Sequence, residues 1–169
     1  KVLLVYGHPG SCSNGADAYF GDLMKKVPSL KRMLHTDCPS EGVKRLSNDG
    51  RTSSLYAWGS MLYCFRLLFV RWRPDFQIEN GAWRWLIKRA AVIENSGGGI
   101  AMNKWQAHCQ ERWISLNRPS LICWPWENLG WERNLCRKAN HIGIKTIGYQ
   151  HTVVGPHQLN YNLKSNFDG

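Results

Sequence analysis

The chain has 169 residues, long enough to bury a substantial core in one domain with room for a helical insertion. Its formal charge of +10 directs it toward anions, whether nucleic acid, anionic lipid or a phosphorylated substrate. The basic residues are dispersed, with one short cluster at Arg66, Arg71 and Arg73, which argues against a nucleic-acid-binding tail, whereas the nine Trp suit sugar faces, membrane interfaces and protein contacts alike.

Val2 to Tyr6 is a continuous apolar run that meets Gly7-His8-Pro9-Gly10, the pattern of a buried strand ending in a turn. Gly7 to Gly15 reads as a loop and Asp17 to Lys26 as a short helix, an opening that favours an α/β fold. Lys31 to His35 supplies a second strand, and Thr36 to Ser54, rich in helix and strand breakers, reads as a loop. Leu55 to Val70 is mostly apolar and runs into Arg71-Trp72-Arg73-Pro74, where proline stops any helix. Interrupted by Gly59 and Arg66, it is too short and too polar to span a bilayer. Two readings remain for it. One is a buried helix. The other is an interfacial helix in which Arg66, Arg71 and Arg73 meet lipid phosphates while Trp58, Phe69 and Trp72 enter the headgroup boundary.

Helices are expected over Ala82 to Glu94 and Ile100 to Leu116, joined by Ser96-Gly97-Gly98-Gly99, which reads as a plain connection more readily than as an anion-accepting turn. No internal repeat is visible. The six cysteines (Cys12, Cys38, Cys64, Cys109, Cys123, Cys136) show no C-x-x-C pair and no metal-ligand spacing with His. With Cys64, Cys123 and Cys136 in apolar segments, they read as reduced core residues of a cytosolic protein. No secretory signal is visible at the N-terminus.

Past Pro119 the pattern sharpens. Ser120 to Trp124 reads as a strand, Asn128 as a helix N-cap, and Leu129 to Ile142 as a helix with an inward stripe of Trp131, Leu135, Ala139 and Ile142. Gly143 stops that helix. Ile144 to Gln150 is the next strand, so the unit is β-α-β and its two strands should be parallel neighbours.

In open parallel sheets ligands sit beyond the carboxyl ends of the strands. Glu127, just past one strand, Gln150-His151-Thr152, just past the next, and His8 with Gly10, past the first, therefore share an edge. A carboxylate among Trp124, Trp126 and Trp131 is expected to have its pKa raised by desolvation and to serve as a general acid or base, with a histidine nearby to orient it. Blander readings stand beside these: Glu127 favouring a helix N-terminus, Glu132 as a solvated helix residue, His151 as a structural histidine and His8 as a turn residue. No G-x-G-x-x-G follows the first strand, and no Walker A, G-x-S-x-G or H-E-x-x-H occurs, so no metal site and no dinucleotide site is expected. The loop from His8 to Gly15 offers only a weak backbone cradle for phosphate.

The stretch Trp124-Pro125-Trp126-Glu127-Asn128-Leu129-Gly130-Trp131-Glu132, an amphipathic helix, then Ile147-Gly148-Tyr149-Gln150-His151-Thr152 and a later Leu159-Asn160-Tyr161, resembles bacterial surface-carbohydrate (O-antigen or capsule) biosynthesis proteins of GT-B glycosyltransferase type. The resemblance implies a Rossmann-like parallel sheet flanked by helices over residues 1–169, with a helical section at 55–118, forming the N-terminal, acceptor-side half of a two-domain enzyme. It implies Glu127 as catalytic base and His151, with Gln150 and Thr152, lining the cleft near the transferred sugar. His8, Gly10, Trp126, Asn128, Trp131 and Glu132 complete the candidate substrate-binding set, and Arg66, Arg71, Trp72 and Arg73 are the candidate membrane-facing residues. No cofactor is implied for this half; a nucleotide-sugar donor would sit on a C-terminal donor domain, and the partner would be a lipid-linked or oligosaccharide acceptor at the cytoplasmic membrane face. From a different class, a non-catalytic basic Trp-rich module docking on an anionic membrane or a protein partner accounts for the same composition, while a nucleic-acid partner has charge alone in its favour.

Overall fold

Val2 and Leu4 face one side of the first strand and Leu3 and Val5 the other, and all four are buried, so this strand must lie inside a sheet covered on both faces. The computed structural model describes residues 1–37, 40–70, 81–151 and 153. It shows five parallel strands in the order β3-β2-β1-β4-β5: β1 (Val2–Tyr6), β2 (Lys31–Thr36), β3 (Thr52–Ser54), β4 (Leu121–Pro125) and β5 (Lys145–Tyr149). The helices are α1 (Leu23–Lys26), α2 (Ser40–Ser47), α3 (Met61–Leu67), α4 (Gly81–Ser96), α5 (Gly99–Asn117) and α6 (Gly130–His141), with a 3-10 turn at Leu55–Trp58. This is a Rossmann-like α/β fold.

Two apolar layers sandwich the sheet. On one face Val2, Leu4, Met33, Ile122 and Trp124 pack against Leu55, against Cys109, Trp113 and Ile114 of α5, and against Leu135 and Ala139 of α6. On the other, Leu3, Val5 and Leu34 pack against Met24 of α1 and Leu46 of α2. α6 ends in a Schellman arrangement: Gly143, at φ +75°, donates to Asn140 O (3.1 Å) and Ile144 donates to Ala139 O (2.9 Å), which redirects the chain into β5.

The expected strands are present and the β4-α6-β5 unit is parallel, with Ile122 opposite Thr146 and Trp124 opposite Gly148. Four expectations are corrected. The helix expected from Asp17 shrinks to α1, because Asp17 is instead buried against Arg32 and Gly21 turns the chain at φ +55°. The loop expected over Thr36 to Ser54 contains α2 and β3; three residues are too few for strand alternation to show, and α2 buries chiefly Leu46 among polar neighbours. The apolar stretch from Leu55 is not one buried helix: it divides at Gly59, where a side chain would strike the Trp105 ring, and α3 with the turn after it leaves Met61, Leu62, Phe65, Leu68 and Phe69 exposed. Cys64, on that helix, is exposed too, and is not a core residue.

Arg32 fixes the long β1-α1 connection. Its side chain is fully buried in β2 and pairs with Asp17 Oδ2 at 3.1 Å. Three further guanidinium hydrogens go to Thr52 Oγ1 (3.1 Å), Ala16 O (3.2 Å) and Cys12 O (3.0 Å). Asp17 Oδ1 in turn accepts from the N–H groups of Tyr19 (2.9 Å) and Phe20 (3.2 Å). A buried charge pair of this kind is tolerable only when its polar atoms find partners, and here each of the three guanidinium nitrogens has at least one acceptor.

Candidate functional site

The connections leave β1 toward β2 on one side, while β4 lies on its other side, so the topological switch point is the crevice beyond Tyr6 and Pro125. Past Pro125 the chain keeps pairing with β5, Trp126 N–H donating to Tyr149 O at 2.8 Å. Gly148 makes this approach feasible, since a Cβ there would lie 3.0 Å from Trp126 Cβ and Cγ. The chain therefore tracks β5 for one residue more and delivers Glu127 opposite His151. Glu127 Oε1 and His151 Nε2 are 3.8 Å apart, beyond hydrogen-bond range but close enough for an ion pair when the imidazole is protonated. The carboxylate side chain is 40% exposed and the imidazole 21%, so solvent or a substrate reaches the pair. His151 Nδ1 is buried with no hydrogen-bond partner among the described residues.

Behind the pair stands an aromatic wall. The Tyr19 and His151 rings meet edge to face at 5.6 Å, and Tyr19 is bordered by Tyr6 and His8, each at 6.1 Å. His35, at the end of β2, stacks on Trp131 with centroids 4.0 Å apart, and the Trp131 indole donates to the Tyr6 hydroxyl at 3.2 Å. Burial pushes the Tyr6 phenol up to about 12; the Trp131 hydrogen bond opposes this and the negative charges of Glu127 and Glu132 add to it. Tyr19 is raised by burial first and by Glu127 second. Burial holds His35 down at about 4, so it is a neutral ring at pH 7, and its Nδ1 has no partner among the described residues.

The tryptophans do not enclose Glu127. The isolated carboxylate is that of Glu132, 1% exposed, which corrects its reading as a solvated helix residue. At the third position of α6 it turns back and accepts from Glu127 N–H at 3.0 Å, satisfying a backbone donor two residues ahead of the N-cap. Burial raises its pKa, against which the N–H groups of Glu127, Leu129 and Asn128 act. Asn128 is not the N-cap. Leu129 holds that position, while Asn128 adopts φ +56° and its side-chain Oδ1 accepts from Arg133 Nε at 3.2 Å. That left-handed residue separates the exposed acid from the buried one.

Of the expected site residues, the structure brings together Glu127 and His151, with His8 at the rim of the same edge. His8 Nδ1 accepts from Gly10 N–H at 2.9 Å, so the pair forms a closed turn. Gln150 is exposed next to His151, Trp126 packs over β5, and Trp131 reaches the site through Tyr6. Thr152, Arg71, Trp72, Arg73 and Leu159 to Tyr161 lie outside the described residues. Arg66 is exposed on α3, away from these contacts. The aromatic wall of Tyr6, Tyr19 and His35 was not expected; the signal available was that Tyr6 and His35 close strands whose carboxyl ends define the crevice. A separate cleft of about 460 Å³ lies between α5 and the start of α6, lined by Asn103, Ala107, Leu129, Gly130, Trp131 and Asn134, so Trp131 borders both it and the Tyr6 wall. Among the described residues no three His, Cys, Asp or Glu converge to hold a metal ion, and no helix is long and apolar enough to cross a membrane.

Comparison with protein-family models, with curated proteins and with solved structures yielded no match.

Proposed function

We propose that this chain is the acceptor-side domain of a glycosyltransferase that moves a sugar from a nucleotide-sugar donor to a growing bacterial surface polysaccharide. The observation that carries the reading is the meeting of Glu127 and His151, 3.8 Å apart, at the switch-point crevice of a Rossmann-like sheet. In this reading the Glu127 carboxylate takes the proton from an acceptor hydroxyl as that oxygen attacks the anomeric carbon. The bond from the anomeric carbon to the nucleoside diphosphate breaks, and its electron pair leaves with the phosphate. His151, 3.8 Å away, stands beside the carboxylate as the group that orients it.

Two features support an acceptor seat here and a donor phosphate held elsewhere. The cleft beside α6 is lined by Trp131 together with Asn103 and Asn134, the pairing of an aromatic residue and hydrogen-bonding groups that a sugar ring requires. Meanwhile the approach to the N-terminus of α6, a position at which phosphates commonly bind, already carries the Glu132 carboxylate, toward which the N–H groups of Glu127, Asn128 and Leu129 turn. In the complete enzyme, Glu127→Gln should lower kcat by roughly 10²- to 10⁴-fold with little change in acceptor KM or melting temperature. Turnover equal to wild type would remove Glu127 as the base.

A further inference from the structure

Among the described residues the largest run of exposed apolar side chains is on α3 and α4, which both pack on α5. At about 100° per residue, Met61, Leu62 and Phe65 of α3 share one arc of about 100°, and Leu68 and Phe69 in the tight turn that follows extend the stripe. These side chains are 63–83% exposed, while Tyr63 and Leu67 turn inward. Arg66 borders the arc. On α4, Ile87, Ala90 and Ala91 face the protein, and the outward side interleaves Trp85, Leu86, Val92 and Ile93 with Lys88 and Arg89, Arg84 lying at its edge. Across the two helices there are four bases and one acid, Glu94, near the end of α4.

We propose that the outward faces of α3 and α4 dock on an anionic lipid bilayer, the apolar stripe of α3 entering the headgroup boundary and the bases of α4 meeting lipid phosphates. Charge favours this occupant over a second copy of the chain, because two such faces brought together would oppose like charges. Apolar rings interleaved with Lys and Arg are the composition of helices that lie in an interface, and neither helix is long and apolar enough to cross it. The proposal is independent of the glycosyl-transfer reading, since neither helix contributes a residue to the pair of Glu127 and His151.

Flotation with vesicles of phosphatidylcholine alone, or with phosphatidylglycerol added, tests it directly. The wild-type chain should float with the anionic vesicles and far less with the neutral ones. Arg84→Gln, Lys88→Gln and Arg89→Gln together should lower the partition coefficient about a hundredfold, at roughly fivefold per base. Phe65→Ser with Phe69→Ser should lower it at least about tenfold. All five positions are exposed, so melting temperatures should match wild type and a loss of binding cannot be a loss of folding. No flotation of the wild type, or undiminished flotation of both variants, overturns the proposal. So does a dimer in sedimentation velocity that Phe65→Ser with Phe69→Ser dissociates, which would make the stripe a contact between copies.

Discussion

Replacing Asp17 by Asn tests what holds the loop beside the crevice. Asn keeps an oxygen for the N–H groups of Tyr19 and Phe20, but it turns an amide NH2 toward Arg32 Nη1, at 3.1 Å, and Ser11 Oγ, at 3.4 Å, both of which donate. Arg32 then keeps its charge in a fully buried position with only Thr52 Oγ1 and the carbonyls of Ala16 and Cys12. Removing one member of a buried pair costs about 3–5 kcal/mol, and the three surviving acceptors put the expectation near 3 kcal/mol. With a urea slope of about 2 kcal/mol per molar, the unfolding midpoint should fall by roughly 1.5 M. Adding Arg32→Met to Asp17→Asn should recover part of the loss, because the unpaired charge is then gone. A fall of less than about 1 kcal/mol for Asp17→Asn would refute the argument that this pair anchors the loop carrying Tyr19 to the ring of His151.

Three other outcomes follow from the same structure. His35 is held at about 4 in the fold against 6.5 when unfolded, so between those values protons favour the unfolded chain; stability should decline as pH falls from 6.5 toward 4, by up to on the order of 3 kcal/mol. His35→Phe, which keeps a ring against Trp131, should flatten that slope in thermal melts, and an unchanged slope would assign it to other groups. Glu132 carries the opposite sign: its folded pKa is raised above 4.5, so its contribution is fullest below 4.5 and is lost as pH rises through the folded value. Glu132→Gln retains an acceptor for Glu127 N–H and should therefore gain on wild type as pH rises from 4 to 7; a constant difference between the two would count against burial as the cause. Gly148→Val should cost about 1–3 kcal/mol in urea unfolding by displacing Trp126, whereas a neutral result would mean that the indole moves aside freely.

Much of the scaffold was legible because apolar runs bounded by breakers are local signals. Val2 to Tyr6 could hardly be anything but a buried strand, and Gly143 marks a helix stop that the φ of +75° requires. The parallel pairing of β4 with β5 followed from the length of the intervening helix, and with it the approach of Glu127 to His151. What remained hidden depends on distant partners. Nothing near Asp17 in sequence announces that Arg32 will neutralise it, so its stretch reads as a helix. Glu127 and Glu132 look alike in the sequence; the single left-handed residue between them, Asn128, decides which one is buried. Likewise Tyr6 and Trp131, 125 positions apart, form one hydrogen bond that no periodicity could reveal.

The strand order has a consequence for biosynthesis. Val2 pairs with Ile122, so the central strand emerges from the ribosome long before one of its two neighbours exists. At about 5–20 residues per second the interval of roughly 120 residues lasts on the order of 6–24 s. Throughout it, one edge of the nascent first strand stays open, with part of the apolar layer that will cover its side chains still unmade. A chaperone that shields such segments should therefore raise the yield of this chain more than its modest length alone would warrant.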